Sequence, residues 1–290
     1  PEDFTEVIKD AFATGFAKRP EKVFTVSPTD DNLLTKYVLA DLHMGMFAWA
    51  QESGEDWDLK IAEEILVESM ETLIASTPPS HTAMILNLGD TFHANDSKNM
   101  TPGSGHILDM DTRFAKIAIV VVRAIRRCIE LAAAKHTKVI YTGVPGNHDK
   151  DQAHWLTIAL MEAYREQENI EIIYTGSKWF IHQHGLNMIA AHHGDKANFN
   201  RLVLSMADNY NKIWGETYWR FLDTGHVHHQ KEHEIGGVLC RSYRTLAAKD
   251  EYSSGSGYTS KRSLTAQTLH KTRGEIAVNN IHLYQGQIAK

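Results

Sequence analysis

The chain has 290 residues, 42% of them apolar and 23% charged, with a formal net charge of −6. That balance suits a soluble globular protein with a sizeable core, and it excludes a disordered chain or a wholly basic coat for nucleic acid. The two cysteines, Cys128 and Cys240, match no zinc or redox spacing, and the longest strongly apolar run, Ile117 to Val122, is too short to span a bilayer. Buried free thiols, a cytoplasmic setting without a signal peptide, and no membrane anchor are therefore expected.

In chain order, Phe4, Val7, Ile8, Ala11, Phe12 and Phe16 space out as a helical stripe, which predicts an N-terminal helix over about 2–17. It is read as packing on the main domain, with a homodimer contact as the alternative. Prolines and Asp30-Asp31-Asn32 mark 18–35 as a linker or edge segment. Lys36 to Ala40 predicts a strand that runs into Asp41-Leu42-His43. An amphipathic helix over 59–74 precedes Pro78-Pro79. The strand Met84 to Leu88 then ends in Gly89-Asp90-Thr91-Phe92-His93. After a long polar loop over 94–112 come a helix over 114–134 and a strand over 138–142. That strand opens into Gly143-Val144-Pro145-Gly146-Asn147-His148-Asp149. A helix over 151–166 and short strands over 170–174 and 178–182 follow. The strand 187–191 delivers His192-His193-Gly194-Asp195. A mixed helical region containing Trp214 and Trp219 precedes Phe221 to Thr224, which delivers Gly225-His226-Val227-His228-His229. Strands over 237–240 and 275–284 close the chain. The alternation of strands and helices predicts an α/β domain spanning 1–290, with no repeats or low-complexity tract.

Five strand ends thus present oxygen or nitrogen donors: Asp41 and His43, Asp90, Asn147, His193, and His226 with His228. Carboxylates and imidazoles without thiolates suit divalent first-row metals rather than a structural zinc site. Seven donors exceed one four-coordinate ion and suit two ions sharing a bridging carboxylate. Such a pair can clamp a phosphoryl oxygen and acidify a bridging water, which is the chemistry of phosphate-ester hydrolysis.

The ordered set Asp-x-His, Gly-Asp-x-x-His, Gly-Asn-His-Asp, His-Gly and Gly-His-x-His, spanning residues 36–229, resembles the calcineurin-like metallophosphoesterase superfamily. The resemblance implies a two-sheet sandwich core flanked by helices. It implies that Asp41, His43, Asp90 and His228 hold one ion, while Asp90 as the bridge, Asn147, His193 and His226 hold the other. Manganese is the expected metal, with Fe, Zn, Ni or Co as alternatives. His192 is expected to point away from the site, because neighbours alternate along a strand. His148 becomes the proton donor to the leaving alkoxide or a stabiliser of the charged transition state. Asp149 either orients His148 or caps the next helix. The form Gly-Asp-x-Phe-His looks like the double-strand-break repair exonuclease branch, in which the histidine matching His93 acts near the scissile phosphate. That branch usually continues into a DNA-capping domain, for which the stretch after His228 is too short.

Arg241 to Arg273 carries seven Lys or Arg against two acidic residues, with Tyr243, Tyr252 and Tyr258 interleaved. Cations with aromatics suit a nucleic-acid backbone and its unstacked bases, so Arg241, Arg244, Lys261 and Arg262 are the expected substrate contacts. The leading expectation is a nuclease acting on DNA or RNA. A phosphoesterase of nucleotides or other small esters is the alternative, and a non-catalytic binding module is a third reading.

Overall fold

The computed structural model describes residues 28–249, 255 and 259–284. The expected N-terminal helix, and Tyr252 and Tyr258 of the basic stretch, lie outside the described residues. In chain order the elements are β1 (Asp30–Leu39), α1 (Ala50–Ser53), α2 (Leu59–Ser76), β2 (Ser80–Asn87), α3 (Phe114–Ala133), β3 (Lys138–Gly143), α4 (Gln152–Ala163), β4 (Ile170–Ile173), β5 (Trp179–His184), β6 (Asn187–His192), α5 (Phe199–Asn209), α6 (Asn211–Glu216), β7 (Trp219–Thr224), β8 (Lys231–Ile235), β9 (Val238–Ser242), β10 (Arg262–His270) and β11 (Gly274–Leu283).

Two mixed sheets form the α/β core. The first runs β11-β10-β1-β2-β3-β4 and the second β5-β6-β7-β9-β8. Strands β1 to β4 are mutually parallel, as are β6, β7 and β9. Alternation along each inner strand divides the apolar side chains between two faces. Tyr37, Leu39, Ile85 and Val139 face α2 and α3, whereas Leu34, Val38, Leu86 and Ile140 meet Phe180, Ile189 and Phe221 from the second sheet. Met188, Ala190, Leu222 and Cys240 on the outer face of that sheet pack under α5. The result is four layers, helices on both outsides of two packed sheets. Cys128 and Cys240 are buried free thiols, both pushed up to about 12 by burial.

An ion pair crosses between the sheets. Lys36 of β1 donates to Asp223 of β7, and the Tyr243 hydroxyl donates to the other Asp223 oxygen at 2.5 Å. Gln267 of β10 donates to the Tyr243 oxygen at 2.6 Å. Burial lowers the Lys36 ammonium, which therefore relies on Asp223 to stay charged. A buried ion pair of this kind adds little net stability, because desolvation of both charges offsets their attraction.

Three sequence expectations are corrected. Residues 30–35 are strand rather than linker, because Leu33 and Leu34 are buried and Asp30 N–H donates to the Pro79 carbonyl at 2.9 Å. Trp219 opens β7 instead of belonging to the helical region. Third, the second half of the basic stretch contains a strand the sequence pattern did not mark, β10, paired antiparallel with β1. The buried polar side chains Thr268 and Gln267 hide the strand's apolar alternation.

Candidate metal centre

The carboxyl ends of β1, β2 and β3 in one sheet and β6 and β7 in the other converge, which is where open α/β sheets place their ligands. Backbone bonds join the emerging loops. Leu88 N–H donates to the Leu39 carbonyl at 2.8 Å, Val144 N–H to Asn87 at 3.0 Å, and Gly225 N–H to His193 at 3.0 Å.

Immediately beyond the strands the backbone turns through a left-handed conformation. Six non-glycine residues in the described chain have positive φ, and five of them are Asp41, His43, Asp90, His226 and His228. Only Asn99 is unrelated. Left-handed backbone costs a Cβ-bearing residue about 1–3 kcal/mol and persists where surrounding contacts enforce it, commonly at functional sites. Two glycines allow the close approach. A Cβ on Gly146 would lie 1.9 Å from Asp90 Oδ1, and one on Gly225 would lie 2.7 Å from Asp41 Oδ2.

The donors gather in three groups whose ligating atoms lie within 4.8 Å of one another: Asp90, His193 and His226; Asp41, His43 and His228; and His43, His93 and His148. In the first group His193 Nδ1 sits 2.7 Å from the Leu88 carbonyl, which can only accept, so Nδ1 carries the proton. That leaves the Nε2 lone pair facing Asp90 Oδ2 at 3.1 Å and Asn147 Oδ1 at 3.0 Å. With Nε2 unprotonated, three acceptors converge on one buried point, and a cation between them would satisfy all three. In the second group His43 Nε2 and His228 Nε2 are 3.1 Å apart, with Asp41 Oδ1 3.6 Å from the latter. Both Asp41 oxygens accept from His226 N–H, at 2.9 and 3.0 Å. The residues present therefore fit divalent cations.

The electrostatics point the same way. Burial works against charge on both Asp90 and His193. Their mutual attraction overrides it, pushing His193 up to about 10 and holding Asp90 well below the usual carboxylate range. A proton on His193 is thus the substitute for a cation at this point. His43 is held well below 6.5 by burial and then by the neighbouring imidazoles of His148 and His228.

His148 is half-buried, and its Nδ1–H donates to the His93 carbonyl at 2.8 Å, which leaves Nε2 as the atom free to exchange a proton. His93 is 3% exposed, with Nδ1 3.2 Å from His43 Nδ1. A metal-binding imidazole commonly donates its other N–H to a fixing partner. His93 is placed to fill that position for His43 were His43 to hold a metal, and its carbonyl orients His148.

Asp149 has neither of the roles the sequence suggested. It is fully buried and accepts from the backbone N–H groups of Asp90 at 3.1 Å, Thr91 at 2.7 Å, Phe92 at 3.3 Å and Gly146 at 3.0 Å. It ties the loop after β2 to the loop after β3. Burial and the Asp90 charge push it up to about 6, against the pull of the Gly146 and Phe92 N–H groups and the His193 imidazole. His192 faces away from the site, against Trp179, and accepts from Gly194 N–H at 2.9 Å.

Half of the expected substrate contacts are committed elsewhere. Arg241 is buried between Glu232 and Glu275, and Arg262 donates to Glu55 at 2.8 Å and to the Leu246 carbonyl at 3.1 Å while lying over the Trp57 ring. Their planes are occupied by protein carboxylates, so neither is available to a phosphate backbone. Arg244 is half-buried and Lys261 exposed. Thr245 was missed by sequence reasoning: its hydroxyl donates to the Asp41 carbonyl at 2.5 Å. No local signal marks it, because Asp41 lies 204 residues away.

No protein-family model matches the chain, and no curated protein sequence matches it. Among solved structures it is similar to a Streptococcus pneumoniae protein described as a predicted phosphoesterase, at 12% identity and a TM-score of 0.36, covering 87% of this chain and 98% of the other. It is also similar to Vps29 complexed with zinc from Entamoeba histolytica, at 12% identity, a TM-score of 0.37, and coverage of 86% and 98%. A third similar structure is PhoD, at 9% identity, a TM-score of 0.40, and coverage of 90% and 74%.

Proposed function

We propose that the protein is a metal-dependent phosphoesterase that hydrolyses phosphodiester bonds, and in particular a nuclease acting on DNA or RNA. The observation that carries the reading is the convergence of acceptors, His193 Nε2, Asp90 Oδ2 and Asn147 Oδ1, beside the paired imidazoles of His43 and His228. Asp41, His43 and His228 would hold one divalent ion and Asn147, His193 and His226 the other, with Asp90 bridging and manganese the expected metal. Bound there, the ions would supply an acidified water and charge neutralisation at the phosphoryl oxygens.

The chain's own contribution is positional. His148 presents Nε2 to the leaving oxygen and delivers the proton that a departing alkoxide needs. His93 sets its ring angle through the carbonyl bond and steadies His43. Asp149 holds the Asp90 and Gly146 loops in contact.

The nuclease form of the reading rests on the Gly-Asp-Thr-Phe-His motif and on the cations that remain available, Lys261 and Arg244. The burial of Arg241 and Arg262 favours a second reading, hydrolysis of small phosphodiesters. One assay separates the two. Protein loaded with Mn²⁺ is given labelled single-stranded oligonucleotides and methyl p-nitrophenyl phosphate, with and without chelator. Chelator-sensitive cleavage of both supports a nuclease, and cleavage of the small ester alone supports the second reading. Absence of bound metal after reconstitution, or wild-type metal content in Asp90→Asn, overturns the metal centre.

A further inference from the structure

The two loops that leave the centre at His43 and His93 fold onto each other as a small irregular sheet. Phe47 N–H donates to the Asp109 carbonyl at 3.0 Å, Asp111 N–H donates to Gly45 at 3.0 Å, and Met46 bridges Met110 in the antiparallel sense. On the far side Met100 bridges Ile107, with Thr101 N–H donating to His106 and Leu108 N–H to Asn99, both at 2.9 Å.

Alternation along these short strands sorts the side chains. Met46 and Ala48 point inward and are buried. Phe47, Trp49, Met100 and Ile107 point outward at 44%, 45%, 40% and 84% exposure. Met100 and Ile107, bridged to each other, and Phe47 and Trp49, both outward on the segment beside them, make up an exposed apolar row. The polar loop expected over 94–112 contains an apolar surface that its composition hides.

We infer that this row is a platform for the ring of a substrate, a nucleobase attached to the scissile phosphate. The inference rests on the phosphodiesterase reading and adds the part of the substrate recognised. Two observations select this occupant. The first is continuity with the centre. Met46 N–H donates to the His43 carbonyl at 3.0 Å, and His93 N–H donates to Met44 at 3.1 Å. The chain therefore turns tightly after His43 and is tied there to the loop at His93, and the platform begins four residues beyond His43. At about 3.3 Å per extended residue, that is within roughly 13 Å, a span that one or two nucleotide units cover. The second is size. Even at about 250 Å² per side chain, four side chains this exposed offer no more than roughly 550 Å². That falls short of the ~800 Å² per partner of a stable protein interface, and it suits one or two flat rings. A tryptophan next to aliphatic side chains stacks any base, because every base has a π-face.

The test compares two phosphodiesters that release the same p-nitrophenolate, thymidine 5′-p-nitrophenyl phosphate and methyl p-nitrophenyl phosphate. Trp49→Ala should lower kcat/KM for the thymidine ester about tenfold, the scale of a lost base–aromatic stack. The loss should fall in KM, because the ring is held equally in ground and transition states. The methyl ester should be unaffected, and Trp49→Phe should restore most of the loss. Ile107→Asn, at a site 84% exposed and taking nothing from the core, should give a smaller loss of the same kind. Equal losses on both esters, or none, overturn the platform. So does a wild-type dimer that Trp49→Ala dissociates without changing KM, which would assign the surface to a second copy. Saturation-transfer NMR with thymidine, which has no phosphate, reads the platform even if neither ester is cleaved. Transfer should occur on wild type and vanish in Trp49→Ala, and its absence on wild type refutes the inference.

Discussion

Removing the Asp149 carboxylate should cost far more than either local role would allow. Four backbone N–H groups, from Asp90, Thr91, Phe92 and Gly146, point at this one fully buried side chain. Asp149→Ala leaves them without acceptors. A buried donor left unsatisfied costs about 1–3 kcal/mol. Four at the lower figure come to about 4 kcal/mol, with relaxation of the loops holding the total near that floor. Against an ordinary domain stability of about 5–15 kcal/mol, that is severe. It corresponds to a fall in Tm of roughly 8–16 °C at about 2–4 °C per kcal/mol. A lost helix cap would cost only ~1 kcal/mol, and a lost His148 orienter would lower turnover with Tm unchanged. The loops tied by Asp149 carry Asp90, Asn147 and His148, so metal affinity should fall with stability. Thermal unfolding and metal titration on the same preparation read both quantities. A Tm within 3 °C of wild type together with full metal binding would refute the clamp.

His148→Ala should leave metal content unchanged and cut turnover about 10²–10⁴-fold, the scale of a positioned proton donor. Parallel loss of metal would make it a structural brace instead. His136, far along the sheet from the centre, supplies a pH prediction. Its Nδ1–H donates to the Ser80 carbonyl at 2.7 Å, and Nε2 lies 2.8 Å from the Tyr37 hydroxyl, so the ring is held neutral. Burial pulls it from 6.5 down to about 4. The unfolded chain therefore takes up the proton first as pH falls. Stability should drop from pH ~6.5 to ~4 and this contribution should then level off, a loss of about 3 kcal/mol at 1.36 kcal/mol per unit. Urea denaturation across that range should show the slope in wild type and lose that component in His136→Gln.

The side chains that converge at the strand ends were legible in the sequence for a physical reason. Each donor sits within a few residues of the end of an apolar strand, so the strand signal and the chemistry lie in one short window. The same holds for β1 to β3, β6 and β7, whose apolar runs place them without reference to partners. The alternation of strands and helices likewise carried the α/β class, and the glycines beside the donors marked the tight turns.

What the tertiary structure alone decided depends on partners remote in sequence. Arg262 reads as a free cation until Glu55, 207 residues earlier, is seen beside it, and Arg241 becomes structural only between Glu232 and Glu275. Asp149 could have capped a helix or steered an imidazole. The approach of the β2 loop turned its acceptors toward three donors at 90–92, with Gly146 as the fourth, instead. Strand β10 escaped notice because its buried face is partly polar, and Thr268 and Gln267 are held there by partners remote in sequence, the Thr268 hydroxyl by that of Thr35 and the Gln267 amide NH2 by the Tyr243 oxygen. Local pattern fixes where a side chain sits along its own strand. Whether a charge is spent or available is set by desolvation and pairing, and those belong to whatever the fold brings alongside.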